Sequence, residues 1–79
     1  MDIRQLQYFV RIADEGSITG AARSLHMSQP PLSMQMKLLE EELGVTLFDR
    51  GSRTIRLTDA GKLLYNRAQG ILELSGATV

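Results

Sequence analysis

Side chains able to break covalent bonds are few in this chain: it has one histidine, His26, no cysteine, and no glycine-rich phosphate loop. Glu40, Glu41 and Glu42 are consecutive, so on a helix their carboxylates splay apart instead of converging on one proton or ion. The run reads as a solvated helix end. His26 falls at a helix end, where histidine more often faces solvent than holds a ligand. No catalytic residue, no cofactor and no metal site is expected. What remains is the chemistry of polar recognition. Gln29, Pro30, Pro31, Ser33, Met34 and Lys37 follow one another closely and include no acid, offering a carboxamide, a hydroxyl, a thioether and an ammonium from one short stretch. Further on, Arg50, Arg53 and Arg56 occur together without an acid between them.

The elements that must position these groups are helices. The segment SITGAARSLHMSQPPLSMQMKLLEEE, Ser17 to Glu42, encodes two amphipathic helices separated by three residues. Ser17 follows Gly16 and can cap the first with its hydroxyl, and Ile18, Ala21, Ala22 and Leu25 fall at i, i+3, i+4 and i+7 on one stripe. The two alanines allow close approach by another helix. His26, Met27 and Ser28 then break the pattern. Ser28 is a second candidate cap, with Pro30 and Pro31 in the first turn, where a missing N–H is tolerated. The helix that follows is predicted over Gln29 to Leu43, with Gly44 as its stop and Leu32, Met36, Leu39 and Leu43 as its core face. Gln29, Pro30, Ser33, Met34, Lys37 and Glu41 are then left on the outer side. This is the sequence form of a helix-turn-helix, whose second helix can enter the major groove of DNA. On the pattern alone, an ordinary helical hairpin with Gln29, Ser33 and Lys37 merely solvated remains the alternative.

Residues 3 to 15 are predicted as a bracing helix, capped by Asp2 and closed by Gly16, with Ile3, Leu6, Phe9, Val10 and Ala13 inward. Residues 45 to 48 and 54 to 57 are short β-prone runs around the turn Arg50-Gly51-Ser52-Arg53, which suggests a small hairpin, with an irregular loop as the alternative for runs this short. Thr58 can cap a last helix whose apolar positions include Leu57, Ala60, Leu64, Ala68 and Ile71, widened by Leu63 and Leu72. This apolar surface exceeds what docking on its own domain needs. Part of it is expected to be an interface, formed by Leu64, Ala68, Ile71 and Leu72.

In order and spacing, MDIRQLQYFVRIADEGSITGAARSLHMSQPPLS, LEEELGVTLFDR and LTDAGKLLY resemble the N-terminal DNA-binding domain of LysR-type transcriptional regulators over nearly the whole chain. The resemblance implies a mainly α fold, a winged helix-turn-helix of three helices and a short β-hairpin wing, followed by a long linker helix that pairs two subunits. The winged domain would span residues 1–58, with its helix-turn-helix at 18–37, and the linker helix residues 59–79. Family members continue into a larger domain that binds a small-molecule effector, so the chain is expected to be a fragment that lacks it. Two departures stand out: Met34 stands where the family commonly has arginine, and Leu38 where it often has a polar or basic residue.

By resemblance and helical position, Gln29, Pro30, Pro31, Ser33 and Met34 would face base edges, and glutamine suits adenine through N6 and N7. Met34 either lies against the protein's own surface or is simply tolerated there, or it packs its thioether on a thymine methyl. Lys37, Arg50 and Arg53 would meet phosphates, with Arg53 able to reach a minor groove from the wing. Ser17 and Thr19 could contact a phosphate or simply cap their helix.

Nine basic and nine acidic residues give a formal net charge of zero, which at first sight argues against a polyanionic partner. The distribution of charge argues the other way: residues 1 to 49 carry four basic and seven acidic groups, whereas Arg50 to Arg56 carry three arginines and no acid. Seventy-nine residues allow one small core, so dimerisation would add needed stability. With an acidic start, no signal peptide and no membrane span in the pattern, a cytoplasmic location is expected. The reading is a homodimeric, sequence-specific binder of double-stranded DNA at a partly palindromic promoter site. The alternative is a helical protein-interaction module that does not bind DNA.

Overall fold

A computed structural model describes residues 1–51 and 54–75, and its elements run α1 (Ile3–Glu15), α2 (Ile18–Ser24), α3 (Gln29–Leu43), β1 (Phe48–Asp49), β2 (Arg56–Leu57) and α4 (Asp59–Ser75). Each helix start has a local cause. The Asp2 carboxylate accepts the Gln5 N–H at 2.8 Å, the Ser17 hydroxyl accepts the Gly20 N–H at 3.0 Å, and the Thr58 hydroxyl accepts the Gly61 N–H at 3.0 Å. Gly16 and Gly44 close α1 and α3 in the left-handed region, at φ 69° and 70°, and their N–H groups return to Ile12 and Glu40 carbonyls.

Ser28 holds the cap position of α3 but makes no side-chain capping bond. A cap hydroxyl accepts from the second or third helical residue, and here those residues are Pro30 and Pro31, which have no N–H to give. The turn between α2 and α3 places His26 at φ 57°, a left-handed conformation that a residue with a Cβ adopts at some cost.

The main core joins Phe9 and Ile12 of α1, Ala21 and Ala22 of α2, Leu32, Met36 and Leu39 of α3, and Leu47 and Phe48 at the wing's base. The Phe9 and Phe48 rings meet in a tilted arrangement with centroids 5.3 Å apart. Two expected inward residues lie instead at the core's edge: Ile3, the first residue of α1, is 40% exposed, and Leu43, the last of α3, is 37% exposed. Stripe membership does not bury a side chain where the neighbouring elements no longer reach the helix end.

The hairpin is shorter than the β-prone runs suggest. Its two antiparallel strands pair Phe48 with Leu57 and Asp49 with Arg56. Upstream, Val45 and Thr46 are exposed, and the Leu47 N–H is taken by the Glu40 carboxylate at 2.7 Å. On the other side Ile55 donates to the Gly16 carbonyl, and the Leu47 carbonyl accepts from Thr58. The Thr58 N–H to Leu47 carbonyl bond keeps the ladder's register, but the Leu47 N–H is taken by Glu40, so the next pair is only half-formed and the ladder stops there.

Helix α4 crosses α1. Leu6, Ala68 and Leu72 form a second buried cluster flanked by Val10 and Leu64. This corrects the expectation for two interface residues: Ala68 and Leu72 are 0% and 4% exposed within a single chain, so they close this chain's own core. Among the described side chains of α4, Leu63 and Ile71, at 57% and 40% exposure, are the large apolar ones left outward. Gly61 permits the close approach at the start of α4, because a Cβ there would lie 2.2 Å from the Leu47 carbonyl oxygen. Farther along, the Tyr65 hydroxyl donates to the Asp14 carboxylate and ties α4 to α1. That hydrogen bond, with burial and the carboxylate's charge adding to it, raises the Tyr65 pKa above its ordinary value.

Candidate nucleic-acid interface

The first turns of α3 present one face to solvent. Gln29, Pro30, Pro31, Met34 and Lys37 are exposed and Ser33 is half-buried, while Leu32, Met36 and Leu39 fix the opposite face in the core. The helix therefore cannot rotate about its axis without unpacking that face. Met34 is 53% exposed, so it does not lie against the protein's own surface. Leu38, one turn on, is also outward at 45%. The outer side of this helix thus combines amide, hydroxyl and ammonium groups with two exposed apolar side chains.

The two hydroxyls at the start of α2 have different partners. Ser17 is half-buried and its oxygen caps the helix. Thr19 is exposed and donates to Gln29 Oε1 at 3.2 Å, linking α2 to the first residue of α3. Arg50 is exposed just after β1. Arg53 lies outside the described residues.

Glu40 has a role that sequence reasoning misses. The pattern puts it in a solvated run with Glu41 and Glu42, but it is half-buried, and one carboxylate oxygen accepts the N–H groups of Leu47, at 2.7 Å, and Phe48, at 3.3 Å. It thereby clasps the recognition-side helix to the base of the wing. The only sequence signal is its place beside Leu39 and Met36 on the inward half of the wheel. Gln5 and Gln35 carry no such signal; the Gln5 side-chain amide donates to Gln35 Oε1 at 3.1 Å and joins α1 to α3.

A short second helix, a tight turn, a third helix with an exposed N-terminal face and a two-stranded hairpin next to it define a winged helix-turn-helix, a DNA-binding class of fold. Residues 3–62 match the family described as bacterial regulatory helix-turn-helix protein, lysR family, and the chain belongs to that family. It is the DNA-binding domain of such a regulator and not an enzyme. Over 73 residues it is 58% identical to the HTH-type transcriptional regulator BsdA of Bacillus subtilis (strain 168), covering 91% of this chain and 25% of that protein. Over 72 residues it is 54% identical to the probable cat1 operon transcriptional activator of Acinetobacter lwoffii, covering 91% of this chain and 24% of that one. The chain thus spans about a quarter of the length of these curated relatives. Among solved structures, the BenM DBD–catB site 1 DNA complex superposes with a TM-score of 0.94 at 45% identity, covering 96% of this chain and 84% of that one.

Proposed function

We propose that the domain reads a specific duplex DNA sequence by laying the N-terminal half of α3 in the major groove. The observation that carries this reading is the acid-free outer face of exposed Gln29, Pro30, Pro31, Met34 and Lys37 with half-buried Ser33, held outward by the buried Leu32, Met36 and Leu39 on the other side. Likeness to DNA-binding domains solved in complex with DNA supports duplex DNA as the partner. In this reading Gln29 meets an adenine edge, Pro30, Pro31, Ser33 and Met34 lie against neighbouring base edges, and Lys37 and Arg50 neutralise phosphates. By the sequence resemblance, Arg53 adds a further phosphate or minor-groove contact. Ser17, whose oxygen is engaged in capping, contributes by orienting α2.

The protein pairs through the outward side of α4, and two-fold symmetry then calls for a partly palindromic promoter site with half-sites about one helical turn apart or a multiple of it. A small-molecule effector acts through a further domain of the whole regulator, in the cytoplasm.

The test is selection of bound sequences from random duplexes, followed by binding measurements at several salt concentrations. Gln29→Ala should cost about 1–3 kcal/mol on the selected site and relax one position, whereas Arg50→Ala should weaken all sequences alike and lower the salt slope by roughly one. Binding indifferent to both salt and sequence would return the domain to a protein-interaction role.

A further inference from the structure

The hydrogen bond between Thr19 and Gln29 bridges two helices at the surface, outside any packed core. Its donor sits on a well-fixed element. Helix α2 is capped by Ser17 and seated through Ala21 and Ala22, both buried, and threonine's branched Cβ limits where its hydroxyl can point. Its acceptor is a long, exposed amide that would otherwise sample many rotamers.

We propose that Thr19 is a positioning residue for sequence reading: its hydroxyl holds the Gln29 carboxamide in one orientation at the leading end of α3 before DNA arrives. The inference rests on the base-reading role of Gln29. Thr19's single hydroxyl proton occupies one lone pair of Gln29 Oε1. The other lone pair and both Nε2 protons remain free, and these are the acceptor and donor that an adenine N6 amino group and N7 require. Ordering the side chain in advance removes part of the entropy cost of binding. A direct contact from Thr19 to phosphate would use the same hydroxyl differently, acting independently of Gln29 and without regard to sequence.

The experiment uses the 79-residue chain and its selected duplex, with each half-site base substituted in turn. Binding is measured for wild type, Thr19→Val, Thr19→Ser, Gln29→Ala and the double variant Thr19→Val/Gln29→Ala. Thr19→Val should lower discrimination at the Gln29-dependent position by about three- to tenfold, leaving other positions, the salt slope and the unfolding midpoint unchanged. Thr19→Ser, which keeps the hydroxyl, should retain most of the discrimination, and Thr19→Val should have no further effect once Gln29 is alanine. If Thr19→Val weakens all duplexes equally, or its cost persists in full in the Gln29→Ala background, the positioning role is overturned while base reading by Gln29 stands. If Gln29→Ala alone changes no base preference, the base-reading role fails and this inference falls with it.

Discussion

The carboxylate of Glu40 and the backbone N–H of Leu47 meet at 2.7 Å, so a residue in the last turn of α3 holds the chain as it enters the wing. The same oxygen receives the Phe48 N–H, and both Leu47 and Phe48 are buried. One side chain thereby ties the helix to the wing, alongside the packing of Leu47 and Phe48 in the core. Glu40→Ala leaves two N–H groups beside the core without a partner and should destabilise the domain by about 1–3 kcal/mol in urea unfolding. Glu40→Gln keeps an acceptor oxygen and should lose less. Equal losses would mean that packing, not the hydrogen bonds, gives Glu40 its value.

Two serines at helix starts should respond differently to the same substitution. Ser17→Ala removes a formed cap and should cost about 1 kcal/mol. Ser28→Ala removes a hydroxyl that has no N–H to accept from and should change stability by less than about 0.5 kcal/mol. Thermal unfolding of the two variants side by side decides the matter.

Two glycines of α4 make an opposite pair. Gly61→Ala forces a methyl group onto the Leu47 carbonyl and should destabilise by about 1–3 kcal/mol, despite alanine's higher helix propensity. At Gly70 an added Cβ meets nothing within 4 Å, so Gly70→Ala should stabilise by up to about 1 kcal/mol. Denaturant midpoints measured on both variants should move in opposite directions.

Pairing through α4 is tested at Leu63 and Ile71, the exposed large apolar residues among the described side chains of that helix. Leu63→Glu combined with Ile71→Glu should leave the single-chain fold intact by circular dichroism and shift sedimentation at high concentration from dimer to monomer. A wild type that is monomeric throughout, with and without DNA, would exclude the pairing. Leu72→Glu, by contrast, should unfold the chain, because it places a charge in the cluster with Leu6 and Ala68.

Met34 offers a thioether where the family commonly offers a guanidinium, and its exposure leaves it free to meet a base edge. If it packs on a thymine methyl, replacing thymine by uracil one position at a time should reveal one site that matters to wild type and not to Met34→Ala. Equal costs for both proteins at every position would rule the contact out.

The helices and their limits can be read from the chain because the rules that set them are local. Asp2, Ser17 and Thr58 each bond an N–H three residues on, and Gly16 and Gly44 end helices through their own backbone freedom. The outward set from Gln29 to Lys37 is legible for the same reason, since helical periodicity fixes which residues share a face. Periodicity does not say what covers a stripe. Ile3 and Leu43 continue their stripes yet lie at the core's edge, while Ala68 and Leu72, expected at an interface, are closed off by Leu6 from the other end of the chain. The partners of Glu40 and of Thr19 are hidden likewise: the backbone of Leu47 and the amide of Gln29 come within reach only when separate elements pack. The sequence by itself determined the helices, their caps other than Ser28 and the face turned outward, because those depend on neighbours a few residues away. Tertiary structure alone decided which apolar residues remained free and which polar groups hold the reading helix in place, because those depend on contacts that chain folding brings together.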